Sequence, residues 1–121
     1  MDLGQVTLSQ MRYAVAIGEL KSFRLAAQRC HVSQSGLSMQ IQRLEELLGV
    51  VLFDRGRKPV LPTREGEAAL GQMRSVLRET QRLGQIVLVG FLHDLQVGGR
   101  RTVAPQALHF RQHGRAQLLG V

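Results

Sequence analysis

Five side chains between residues 34 and 42 carry most of the chemistry this chain offers. Read as a helix, "SQSGLSMQIQRLEELLG" (33–49) places Leu37, Ile41, Leu44 and Leu48 on one apolar side. The opposite side presents Gln34, Ser35, Ser38, Met39 and Gln42. Such a face is short enough to let a helix backbone approach a partner closely. A glutamine amide donates and accepts at once, which matches the N6 and N7 pair of adenine. Serine hydroxyls bond bases or phosphates, and a methionine offers an apolar surface to a thymine methyl. Free N–H groups at the helix start, beside Ser33, favour an anionic phosphate. A second group follows at Arg55, Arg57 and Lys58, three cations in a short turn. Cations so placed reach phosphates or an adjacent minor groove, and set affinity and register more than sequence preference.

The elements that must hold these residues are legible from periodicity. "TLSQMRYAVAIGEL" (7–20) spaces Leu8, Met11, Ala14, Val15 and Ile17 as one helix face. Ser22 caps a second helix, 23–31, whose Ala26-Ala27 pair lets another helix come close. Ser33 caps the third, which ends at Gly49. The apolar runs "VVLF" and "PVL" flank "DRGRK", a hairpin with Gly56 in the bend and prolines at edge positions. Thr63 caps a long helix whose first turn carries Glu65 and Glu67, where the helix dipole favours carboxylates. Along it Ala69, Met73, Val76, Thr80, Leu83 and Val87 alternate spacings of four and three, the seam of a short coiled coil. Gly71 and Gly84 weaken that helix by about 1 kcal/mol each relative to alanine.

The fold class expected is therefore mainly α: a winged helix-turn-helix with a two-stranded wing and a long C-terminal linker and dimerisation helix. The expected divisions are 1–63 for the winged domain, 64–90 for the linker helix and 91–121 for a basic, irregular or disordered tail. The chain has 121 residues and a net charge of +7, which suits a polyanionic partner. Its single cysteine, Cys30, excludes an intrachain disulfide and reads as a buried structural thiol. His109 and His113 stand four apart in the tail without a third ligand nearby, so no metal is expected. No catalytic constellation is present and no cofactor is implied, so an enzyme is not expected. The opening "MDLGQVTLSQ" is unlike a signal peptide, and the longest apolar run, residues 84–92, is too short to cross a bilayer. The expectation is a cytoplasmic protein with no membrane partner.

A polar helix start is often merely solvated, and a basic turn is often merely a soluble loop. Their order along a strongly basic chain is what favours double-stranded DNA. Residues 22–70 add a resemblance. Ser22-Phe23, Ala26-Ala27, Val32-Ser33-Gln34, Ser38, Gln40-Ile41, Leu44-Glu45, Leu48-Gly49, Leu52-Phe53, Arg55, Pro62-Thr63 and Gly66 reproduce, at matching spacing, a hallmark run. It is that of the N-terminal DNA-binding domain of LysR-type transcriptional regulators. With Met11 in place of a leucine, the chain looks most like the peroxide-responsive OxyR subgroup, over residues 5 to about 90. The resemblance implies a sequence-specific regulator, a homodimer through the long helix, bound to an interrupted palindrome. By position it assigns Ser33, Gln34, Ser35, Ser38 and Met39 to the recognition helix, and Arg55 and Arg57 to the wing. Position 35 is often proline in the family and position 39 often arginine, so base preference should differ here.

The stretch from residue 91 does not resemble the effector-binding domain with which such regulators continue. The expectation is a regulator truncated before its sensor, with no small-molecule effector and no peroxide sensing. The alternatives are a heterodimerising interaction fragment or a non-specific DNA binder.

Overall fold

The computed structural model of the chain describes residues 1–96. The described residues fall into two compact units, the first Met1–Leu77 and the second beginning at Arg78. A 3-10 turn, Leu3–Gln5, precedes helices α1 (Leu8–Leu20), α2 (Phe23–Cys30) and α3 (Gln34–Leu48). Strands β1 (Phe53–Asp54) and β2 (Leu61–Pro62) follow, then α4 (Arg64–Gln96). The strands pair antiparallel with Phe53 opposite Pro62 and Asp54 opposite Leu61. This is the winged helix-turn-helix expected from the sequence.

Each helix boundary has a local cause. Thr7 caps α1 through a capping box: the Gln10 N–H donates to Thr7 Oγ1 at 3.1 Å and the Thr7 N–H to Gln10 Oε1 at 3.0 Å. Lys21 ends α1 in the left-handed region, φ 56. Ser22 caps α2 by accepting from Leu25 N–H, and Ser33 caps α3 by accepting from Gly36 N–H at 3.0 Å. His31, also left-handed, makes the turn between those two helices. Gly49 closes α3 at φ 73, a conformation glycine adopts without a Cβ penalty. Thr63 serves α4, with its hydroxyl accepting from Gly66 N–H at 3.0 Å.

The core of the first unit is aliphatic, as the scarcity of aromatics requires. Ala14 and Ile17 of α1, Ala26 of α2, and Leu37, Ile41 and Leu44 of α3 are fully enclosed. Leu52, Phe53 and Val60 from the wing, with Leu70 and Met73 of α4, complete it. The small Ala26 and Ala27 lie buried where the helices meet.

Five details differ from the sequence reading. Leu47 rather than Leu48 is the last buried position of α3; Leu48 is half-covered at the core's edge. On α1, Gln10 is buried at 4% exposure while Leu8 is exposed. Gln10 can go inside because both ends of its amide are satisfied, Oε1 by Thr7 N–H and Nε2 by Gln40 Oε1 at 3.1 Å. The strands are two residues each, and Val50 and Val51 lie outside them. Finally, 91–96 is helical: "FLHDLQ", assigned above to an irregular tail, continues α4 to Gln96. Phe91, Leu92 and Leu95 prolong its apolar spacing, and no proline intervenes before residue 105. The first unit likewise extends past Thr63 to Leu77, because the early turns of α4 are part of its core. The remaining tail and the His109, His113 pair lie outside the described residues.

Candidate nucleic-acid interface

The start of α3 is held outward by what its other face buries. With Leu37, Ile41 and Leu44 in the core, Gln34, Ser35, Met39 and Gln42 are exposed and Ser38 is half-covered. Met39 is 70% exposed, an apolar side chain turned to solvent. Ser33 has a structural task first: its oxygen caps the helix and lies 3.4 Å from Ser35 Oγ.

Gln34 and Ser38 line one side of an open concavity of about 630 Å³. Arg55 and Lys58 of the wing line another side, and Lys21, Ser22 and Arg24 at the start of α2 a third. Lys21 and Arg24 go beyond the sequence reading, which has Ser22 only as a helix cap and not as part of an interface. Their signal was present in "KSFR", a cap serine with cations on both sides. The backbone joins wing to helices here, since Val60 N–H donates to the Lys21 carbonyl at 3.0 Å. The concavity thus combines two helix starts, which carry unpaired N–H groups, with cationic side chains.

The three wing cations are not equivalent. Arg55 Nη2 donates to Glu45 Oε1 at 2.8 Å, and its guanidinium lies 5.1 Å from the Phe23 ring centre. Arg57 Nε stands 3.5 Å from Asp54 Oδ2, an exposed pair within the wing. Asp54 also takes Gly56 N–H at 3.0 Å, which shapes the bend. Lys58 forms no ion pair among the described residues. Elsewhere, Arg43 of α3 turns to Gln5, its Nη2 donating to Oε1 at 2.8 Å.

On α4 the expected seam divides in two. Met73, at 6% exposure, belongs to the core of its own chain. Ala69, Met73 and Val76 line an apolar groove of about 280 Å³ with Leu3, Val6, Met11 and Leu48. Thr80, Leu83 and Val87 lie on the exposed stretch of the helix. Ile86, Val89, Leu92 and Leu95 are exposed as well. Cys30 is half-buried, and burial pushes its thiol above the ordinary range against the opposing pull of Arg12 and Arg29. No group of three metal-ligating side chains occurs among the described residues, and no helix there is long and apolar enough to cross a membrane.

Comparison with known proteins fits this geometry. The family model for "Bacterial regulatory helix-turn-helix protein, lysR family" matches residues 8–67. The hydrogen peroxide-inducible genes activator of Haemophilus influenzae is 38% identical over 111 residues, covering 87% of this chain and 36% of that protein. Among solved structures, full-length OxyR from Pseudomonas aeruginosa matches 71% of this chain and 29% of its own, with 37% identity and a TM-score of 0.68. The DNA-binding domain of BenM, solved in complex with benA site 1 DNA, is 36% identical with a TM-score of 0.66. That match covers 68% of this chain and 92% of the BenM domain. The chain spans about a third of the length of the curated relatives it matches.

Proposed function

The chain belongs to the lysR family of bacterial regulatory helix-turn-helix proteins, and we infer from this and from its concave basic face that it binds double-stranded DNA and regulates transcription. The observation that carries the reading is the shared concavity: Gln34 and Ser38 of α3, Lys58 of the wing, and Lys21 and Arg24 beside α2 face one space. With α3 in the major groove, Gln34 takes the adenine N6–N7 edge and Met39 a thymine methyl. Ser33, Ser35, Ser38 and Gln42 add hydrogen bonds to bases or phosphates. Lys58 and Arg57 approach the backbone flanking the groove, and the start of α2 holds a phosphate by N–H groups and charge. Relatives in this family are transcriptional regulators, and the role proposed here is likewise non-enzymatic and cytoplasmic.

Two copies pair through α4, with Leu83 and Val87 meeting their equivalents, and present two recognition helices to an interrupted palindrome. The support is the row of exposed apolar side chains on that helix, an unusual surface for a monomer. The test is fluorescence anisotropy of the chain with its own upstream DNA and with a scrambled duplex at two salt concentrations. Preference for the upstream DNA that persists at higher salt is the expected result. Equal and steeply salt-dependent binding to both would instead identify a non-specific binder.

A further inference from the structure

Resting on the DNA-binding reading, we propose that Arg55 is a positioning residue: it fixes the wing against α3 and leaves the DNA contact to Lys58 and Arg57. Its guanidinium is engaged on two sides. Glu45 Oε1 accepts from Nη2 at 2.8 Å, and the Phe23 ring lies under the cation at 5.1 Å. Glu45 is itself anchored, since Oε2 accepts the Leu52 N–H at 2.7 Å. Its side chain is only 12% exposed, against 52% for Asp54, the acid that faces Arg57. Phe23 in turn packs edge-on against Phe53 of β1, with ring centres 6.1 Å apart.

These contacts close a loop through the fold. A carboxylate on the recognition helix grips the residue that opens the wing's loop and the backbone just before β1. A ring from α2 backs the same guanidinium and the same strand. Wing and recognition helix therefore move as one part, so the spacing between groove and flanking phosphate is set before DNA arrives. An arginine whose charge is already matched by a mostly covered carboxylate contributes little field to a phosphate. Lys58, two residues past the bend, has no such partner among the described residues.

Charge alone and positioning predict opposite signs for Glu45→Gln. Removing an acid near DNA should tighten binding if Arg55 were a phosphate contact merely muffled by Glu45. Positioning predicts weaker binding despite the added net positive charge. The full chain is titrated into labelled upstream and scrambled duplexes as wild type, E45Q, R55M, R57A/K58A and R55M/R57A/K58A. The expected result is a loss of about 3- to 10-fold for E45Q and for R55M, with the R55M loss shrinking below about 2-fold in the R57A/K58A background. Tighter binding by E45Q, or an R55M loss that persists in full without the wing cations, overturns the proposal. Should R55M fail to fold by circular dichroism, the sign of the E45Q effect decides. Failure of the underlying reading looks different: wild-type chain would then show no preference for upstream DNA, or no binding to either duplex.

Discussion

Gly66 lies directly against the main-chain carbonyl of Leu52: a Cβ at position 66 would stand 2.0 Å from that oxygen and 2.9 Å from its carbon. The carbonyl cannot retreat freely, because it accepts the Thr63 N–H at 2.9 Å at the entrance to α4. Gly66→Ala should therefore destabilise the fold by about 3 kcal/mol, the upper range for overpacking a tight interior. At Gly71, further along the helix, a Cβ would meet nothing within 4 Å. Gly71→Ala should stabilise by about 0.5 to 1 kcal/mol through helix propensity. Urea midpoints of the two variants should move in opposite directions.

Gln10 joins α1 to the recognition helix. Gln10→Leu keeps the volume but removes the acceptor for Thr7 N–H and the donor to Gln40. A loss of about 1 to 2 kcal/mol is expected in urea unfolding, since a capping bond and an interhelical bond disappear together. An unchanged midpoint would mean that water replaces the amide without loss.

Specificity and affinity should separate between helix and wing. Gln34→Ala should cost about 1 to 3 kcal/mol at the preferred duplex and little at a scrambled one. Lys58→Ala should weaken both alike and lower the slope of log K against log salt by about 0.9. Anisotropy titrations at three salt concentrations resolve the two behaviours.

Self-association should depend on the exposed part of α4. Leu83→Glu combined with Val87→Glu places two acids where two helices would meet. Sedimentation velocity should show a dimeric mass for the parent chain and a monomeric mass for the variant. A variant that stays dimeric would move the interface to the groove lined by Leu3, Val6, Met11 and Val76.

Cys30 should be a slow nucleophile. Its thiol is pushed up by burial, so less thiolate is present at neutral pH than for an ordinary cysteine. Alkylation by iodoacetamide about one unit below a free thiol's pKa should be slower in the native chain than in urea. The native rate should keep rising with pH beyond the point where the unfolded rate levels off.

How much of this was legible without coordinates follows from the range of the forces involved. Ser22, Ser33, Gly49 and Thr63 act on their nearest backbone neighbours, and their roles as helix starts and stops were readable directly. So were the aliphatic inner face at Leu37, Ile41 and Leu44, which helical period alone defines, and the outward set at Gln34, Ser35 and Met39 that is its geometric complement. The burial of Gln10 was not readable, because it depends on Gln40, thirty residues away, completing its hydrogen bonds. Nor was the division among the wing cations: Arg55, Arg57 and Lys58 look alike in "DRGRK", and only the approach of Glu45 and Phe23 sets Arg55 apart. The repeat on α4 offers six equivalent positions, yet Met73 is enclosed by its own core while Leu83 and Val87 are exposed. Local chemistry and periodicity are properties of the chain in order. Which charge is already matched, and which apolar face is already covered, depends on side chains brought together from distant parts of it.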